Sequence, residues 1–355
     1  MDHSLFKMEN ILQPGVSIKP NASVQDRLLN FNGYDDKNYH VIVESKNNNS
    51  GSICDDGYVL KFINSLDSKR PQTYEAQNAL LLHLGAKGVT CSKPILTKAG
   101  IYFSKVKLSS GEHIVRLLEF INGTIFYQVQ NTPSLLFQAG AFVAKIDTAL
   151  KDFHHPAYDT HISLWMLESL PKLPQFLFAI PNEERRKLVL EVIHEFEERV
   201  LSISNTLERG MIHGDFNEQN IIVQKEDDEW RIKAVIDFGD SHIACYLYEL
   251  AIAMTYMIVE AKDIDAGGYV LAGYLSVREL PEREYRLLKV CIAARLCQSL
   301  VIGAYSNLQD PTNTYVMRTA AHGWMILEKI WAEPECKLLE KWKSTVFSEN
   351  MKLQK

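Results

Sequence analysis

Along the first third of the chain apolar residues alternate with polar ones or run in short blocks, and over most of the remainder they recur at helical spacing. The pattern predicts strands at 24–29, 39–43 and 57–63, a hairpin of 93–98 with 101–106 across Ala99-Gly100, and a long strand at 112–120. One helix interrupts this run. Pro71 opens it at the position where a missing N–H costs nothing, Tyr74, Leu81 and Leu82 give it an apolar face, and Gly85 and Gly88 close it. Helices follow at 133–150, at 162–177 (broken by two prolines), at 182–207, 244–259, 282–306, 312–332 and 334–348. Two short apolar blocks, 221–223 and 234–236, stand as strands among them. The order implies an arm at 1–23, a strand-rich unit at 24–120 and a helical unit at 121–355, an α+β protein.

Composition changes this picture little. A chain of 355 residues that is 46% hydrophobic and 23% charged can build two cores, and a net charge of −6 offers no basic surface for nucleic acid. The six cysteines (54, 91, 245, 291, 297, 336) form no CxxC and no metal spacing, which favours reduced thiols. The opening MDHSLFKMENILQPG carries charge where a signal peptide needs an apolar core. The longest apolar run, 244–259, contains Glu249 and is too short to span a bilayer. A cytoplasmic protein is expected, with no nucleic-acid or membrane partner.

The chemistry concentrates at 211–220, MIHGDFNEQN. His213-Gly214-Asp215 is followed by Asn220, and the block 234–236 ends on Asp237-Phe238-Gly239-Asp240. Two strands therefore deliver an Asp/Asn pair and a further Asp to one place. Phosphoryl transfer needs that set: one carboxylate to accept the proton of the attacking hydroxyl, and an amide oxygen and a second carboxylate to hold Mg²⁺. The plain alternative is a hairpin with polar loop residues.

Other positions are suggestive singly. The turn-rich NFNGYDDKN at 30–38 could fold over nucleotide phosphates with Gly33 at closest approach, or be an ordinary hairpin turn. Lys61 interrupts an apolar strand and needs a partner, for which Glu75 in the first turn of the next helix is the candidate. The strand ending at Asn122-Gly123 makes a hinge, with Glu119, Phe120 and Ile121 placed to read a purine edge. His154-His155 lie on different helix faces without a carboxylate at ligand spacing, which argues against metal. Glu249 is the one charge of its helix, and Arg295 either clamps a substrate carboxylate or pairs with Glu249 or Asp240.

Taken together these residues resemble the aminoglycoside phosphotransferase and choline kinase-like superfamily over about 24–332, and YDDKNYHV, YVLK, VRLLEFING, FHHP, GGYVLAGY and CQSLVIGAYS narrow the resemblance. It implies a two-lobed protein-kinase-like fold, with an N-terminal antiparallel sheet and one helix before a larger, mostly helical lobe. It also implies Asp215 as catalytic base, Asn220 and Asp237 as Mg²⁺ ligands, and Lys61 on the phosphates with Glu75 as partner. The implied reaction moves the γ-phosphoryl of GTP, or ATP, to the side-chain hydroxyl of 5-hydroxy-L-lysine, in the cytosol within lysine catabolism. Another amino-alcohol (homoserine, choline, ethanolamine) is the alternative acceptor, and a silent nucleotide-binding scaffold a further one. Glu218, Asp240 and Glu249 are candidate acidic walls for the amines of such a substrate. The chain departs from choline kinase-like relatives at Phe216-Asn217-Glu218-Gln219 and has Glu249, where many carry Asp, before Leu250-Ala251. The turn at 32–37 has no Gly-rich pattern and no Ala-Pro-Glu follows Asp237, so a protein kinase is not expected.

Overall fold

The computed structural model describes residues 16–17, 30–31, 36–42, 44–45, 54, 56–311 and 319–353. The strand expected at 24–29 and the turn at Gly33 lie outside these residues. The chain divides into two compact units, Met1–Asn122 with His155–Ala157, and Gly123–His154 with Tyr158–Lys355.

In the first unit the strands are β1 (Val16–Ser17), β2 (Asn30–Phe31), β3 (Lys37–Val41), β4 (Glu44–Ser45), β5 (Tyr58–Phe62), β6 (Ser104–Leu108) and β7 (Gly111–Glu119), with helix α1 (Pro71–Ala86) after β5. Five of them form an antiparallel sheet in the order β2-β3-β5-β7-β6, and β1 pairs with β4. Alternation sorts the sheet's faces. Tyr58, Leu60, Val115 and Leu117 close one core, while Ile63 and Ile114 on the other face pack against Tyr74 of α1. Pro71 opens α1 as expected. The hairpin expected at 93–106 is not formed. Residues 93–95 run beside β7 instead, with the Ile95 N–H on Leu117 O at 2.9 Å and the Glu119 N–H on Lys93 O at 2.8 Å, before a turn at 97–101. The tight hairpin is β6 to β7, across Ser109-Ser110.

The second unit contains β8 (Thr124–Ile125), β9 (Arg209–Ile212), β10 (Ile221–Glu226), β11 (Glu229–Val235) and β12 (His242–Cys245). Its helices are α2 (Pro133–Ala149), α3 (Glu183–Arg199), α4 (Tyr246–Ala261), α5 (Gly267–Leu275), α6 (Glu282–Tyr285), α7 (Leu288–Gln309), α8 (Ala320–Ala332) and α9 (Glu335–Leu353). Helices α2 and α5 approach until a Cβ on Gly140 would overlap Val270 O and one on Gly273 would overlap Phe137 O. The helix expected over 182–207 starts where Asn182 caps it but stops at Arg199, and a 3-10 segment Leu201–Thr206 follows. Ser202 and Thr206 explain the change: their hydroxyls donate to Glu198 O and Ile203 O, competing with the helical ladder. The proline-broken segment is 3-10 over Leu167–Ala179. α7 is long and apolar enough to cross a membrane, yet its apolar stretch is 83% buried in this unit, the mark of a core helix. All six cysteines are unpaired, and four of them, at 91, 245, 291 and 297, are buried.

Candidate active site

The hairpin β10–β11 builds the site. Its two-residue turn, Asp227-Asp228, takes φ of 47° and 64°, the pair of positive values that a type I′ turn needs and that Asp tolerates. The register that follows pairs Ile221 with Val235, and the Ile236 N–H donates to Asn220 O at 2.9 Å. Asn220 and Asp237 therefore sit at the same end of the hairpin. β9 pairs with β12 so that His242 faces Ile212, which brings His213-Gly214 beside Asp240-Ser241. Gly214 holds φ +80°, and a Cβ there would overlap Asp240 O. No other residue fits without displacing the chain.

Asp215 stands where these segments meet. Its Oδ2 accepts N–H bonds from Asn217 at 2.8 Å and Asn220 at 3.1 Å, and its Oδ1 accepts one from Arg295 at 3.0 Å. Burial pushes the carboxyl up to about 8, with the Arg295 guanidinium opposing the shift and Asp240 adding to it. The side chain nevertheless keeps 24% of its surface exposed and can be reached. His213 is wholly buried between two backbone groups: the Asp215 N–H donates to Nδ1 at 3.1 Å, and Nε2 lies 3.0 Å from Ile236 O. Those partners demand a single neutral tautomer with the proton on Nε2. Burial agrees, lowering its pKa to about 4. His213 thus braces the loop and is no acid or base.

Three sequence expectations are corrected in this unit. Glu249 is not a substrate wall: it is fully buried, and its Oε2 accepts the Gly214 N–H at 2.9 Å. Arg295 bonds directly to neither Glu249 nor Asp240 but pairs with Asp215. Nor can it clamp a substrate carboxylate with two parallel bonds, because four of its N–H groups are taken, by Tyr256 at 3.1 Å, Trp165 O at 3.1 Å, Gln298 at 2.9 Å and Asp215 at 3.0 Å. Glu218 and Asp240 are part-exposed, as a wall must be. Asp237, exposed and in the left-handed region at φ 60°, directly follows the strand. Sequence reasoning missed Asn217, whose side chain also accepts the Gln219 and Asn220 N–H groups at 2.8 and 3.1 Å. An Asn two residues after the Asp, where it can close a local turn, was the available signal.

In the first unit Lys61 is buried on β5, between Asn38 of β3 and Arg116 of β7 in one cross-strand row. Glu75 is not its partner. It is the fifth residue of α1, beyond the first turn, exposed, and in no ion pair with Lys61 among the described residues. Helix α1 offers Arg116 both Asn78, which accepts from Nη1 at 3.3 Å, and the ring of Tyr74, 5.5 Å from Cζ. At the end of β7, the Glu119 N–H is taken by Lys93 O and the Phe120 N–H by Gly57 O, and the Ile121 N–H makes no backbone bond among the described residues. Phe120 stacks on His40 with ring centres 3.9 Å apart.

A loop with a partly exposed Asp beside an Asn and an Asp on adjoining strand ends, in a chain with an antiparallel sheet and a helical part, fits a phosphotransferase of the two-lobed kinase type. The chain belongs to the phosphotransferase enzyme family, whose model matches residues 29–287. It is similar to hydroxylysine kinase of Xenopus laevis, 34% identical over 84% of this chain and 86% of that one, and to hydroxylysine kinase of Bos taurus, 34% identical over 84% and 82%. Among solved structures, the microcompartment-associated aminopropanol kinase matches 92% of this chain and 96% of its own, with a TM-score of 0.69 and 18% identity. Amicoumacin kinase, solved with AMP-PNP, Ca²⁺ and Ami, gives a TM-score of 0.66 and 17% identity over 94% and 96%. The protein is an enzyme that transfers a phosphoryl group to an alcohol, a small-molecule kinase.

Proposed function

We propose that this kinase transfers the γ-phosphoryl group of GTP, or of ATP, to the side-chain hydroxyl of 5-hydroxy-L-lysine, giving 5-phosphohydroxy-L-lysine in the cytosol. One observation carries the chemistry: Asp215, Asn220 and Asp237 converge at the end of the β10–β11 hairpin. The substrate is supported by the likeness to the hydroxylysine kinases. Asp215 accepts the hydroxyl proton as the substrate oxygen bonds to the γ-phosphorus and the bond to the β-phosphate breaks.

The donor set suits Mg²⁺. Asn220 turns its Nδ2 to Asp215 O and Oδ2, at 3.0 and 3.1 Å, which leaves its amide oxygen to serve with the Asp237 carboxylate as hard ligands. Two protein ligands suffice for Mg²⁺, which keeps waters and phosphates in the rest of its shell. When bound there, the ion neutralises charge on the transferring phosphoryl group. Lys61, joined by Arg116, contacts the phosphates, and the Ile121 N–H reads the base. Glu218 and Asp240 attract the substrate's amines.

A second reading of the acceptor has its own support, since homoserine kinase of Granulibacter bethesdensis is 27% identical over 66% of this chain. The deciding experiment offers 5-hydroxylysine, homoserine, choline and ethanolamine to the purified protein with Mg²⁺ and either GTP or ATP. Preference for hydroxylysine is the expected result. Preference for another acceptor would overturn the substrate while leaving the chemistry, and nucleotide binding without turnover of any would favour a scaffold.

A further inference from the structure

The hydrogen bonds at Asp215 leave little freedom in how it can work. A carboxylate oxygen has two lone-pair directions. Both on Oδ2 are filled, by Asn217 and Asn220, whereas among the described residues Oδ1 accepts from Arg295 Nη2 alone. The acceptor left for an incoming hydroxyl is the second lone pair of Oδ1, immediately beside the guanidinium. Arg295 itself is 1% exposed and held from every side. Tyr256 and Trp165 lie against it with ring centres 5.4 and 5.3 Å from its Cζ, and also accept its Nε–H and one Nη1–H through the Tyr256 hydroxyl and the Trp165 carbonyl. Gln298, one helical turn further along α7, accepts the other Nη1–H and donates to Leu164 O and Met166 O at 2.6 and 3.0 Å. A planar fork held at three points by Tyr256, Trp165 and Gln298 cannot rotate, and with Oδ1 on that fork and Oδ2 on Asn217 and Asn220 the carboxylate is held at both oxygens.

We propose that Arg295 is the positioning residue of the base: it sets the rotation of the Asp215 carboxylate so that the open lone pair of Oδ1 meets the substrate hydroxyl, and it ties that rotation to the segment 164–166. The inference rests on Asp215 being the base. In the step, the proton passes from the hydroxyl to Oδ1 as the new O–P bond forms and the β–γ bridging bond breaks, and the guanidinium keeps its protons throughout. A general base misaligned by a small rotation loses rate without losing substrate affinity, so the effect belongs in kcat. A residue that merely filled the core would lower stability and leave both constants unchanged. A residue that bound the substrate's carboxylate would raise KM.

The test compares Arg295→Lys, Arg295→Gln and Tyr256→Phe with the parent enzyme. It measures kcat, KM for the preferred alcohol, KM for the same amino-alcohol lacking its carboxylate, nucleotide affinity and melting temperature. Tyr256→Phe removes only the hydroxyl that holds Nε, and so reports even where the Arg295 variants do not fold. The expected result is a kcat lowered about 10-fold or more in Arg295→Gln and about 3-fold in Tyr256→Phe, with KM and nucleotide affinity within about 2-fold. Arg295→Lys, which keeps the charge but not the fork, recovers only part of the loss. Unchanged kcat in the folded variants overturns the proposal, whether melting temperature alone falls or KM rises for the carboxylate-bearing substrate only. Asp215→Asn run alongside separates the two claims. If it turns over normally the base itself is wrong, and if it is inactive while Arg295→Gln and Tyr256→Phe match the parent, only the positioning role is lost.

Discussion

In the second unit a dense set of hydrogen bonds surrounds Asp215: three N–H donors reach its carboxylate, Glu249 holds Gly214, and His213 braces the loop. In the first unit a Lys and an Arg lie buried side by side on the sheet, facing a helix that gives them an Asn, while the acid of that helix, Glu75, is exposed. Two adjacent cations make a positive patch, which suits the phosphates of a nucleotide, whereas the polar groups around Asp215 are oriented by one another. On the proposed reaction Asp215 acts on the acceptor hydroxyl and Lys61 on the nucleotide phosphates, so substitutions in the two units should divide between kcat and KM.

The largest effect falls at Asp215, the proposed base. Asp215→Ala should lower kcat by at least about 10² with nucleotide affinity unchanged, by steady-state kinetics and calorimetric titration. Gly214→Ala comes next, because its φ of +80° and the overlap with Asp240 O strike the loop itself. A loss of about 3 kcal/mol, roughly 5 °C in Tm by calorimetry, is expected together with a fall in kcat. Lys61→Met probes the other unit. It should raise nucleotide KM about 10-fold and leave the acceptor's KM alone, and a fall confined to kcat would break the comparison.

A pH effect follows from Glu249, whose carboxyl burial pushes up to about 7 from an ordinary 4.5. The folded state thus binds the proton more tightly than the unfolded state, and the stability this contributes is complete below about pH 4.5 and lost as pH rises through 7. Glu249→Gln cannot lose it. The Tm of that variant relative to the parent should therefore climb between pH 5 and pH 8, by the equivalent of about 2 kcal/mol. The smallest effect belongs to Glu75→Gln: with no Lys61 pair to break, stability should stay within about 0.5 kcal/mol and nucleotide KM within about 2-fold.

Much of the site was legible in the chain because its logic is local. His213, Gly214, Asp215 and Asn220 fall within eight consecutive residues, and Asp237 closes the next strand, so two short apolar blocks suffice to bring them together. The β-to-helix change of pattern likewise marked where the sheet ends. What escaped depended on long-range packing. Glu75 and Asn78 are three apart on one helix, and only the sheet's position decides which of them faces Lys61 and Arg116. Arg295 is 80 residues from Asp215, and its apolar neighbours in sequence disclose burial without disclosing a partner. Glu249 drew attention as a lone acid in an apolar helix, but a buried acid serving a backbone N–H looks in sequence like one that serves a substrate. The segment 93–106 misled because its turn is real while its strand partner is β7.

The most direct test is a crystal structure of the enzyme with Mg²⁺, a non-hydrolysable GTP or ATP analogue and 5-hydroxylysine. The account predicts the substrate hydroxyl within roughly 2.6–3.2 Å of Asp215 Oδ1, beside Arg295 Nη2, and the metal on the Asn220 amide oxygen and the Asp237 carboxylate. A hydroxyl bonded to a different side chain, or a metal held without Asp237, would contradict it.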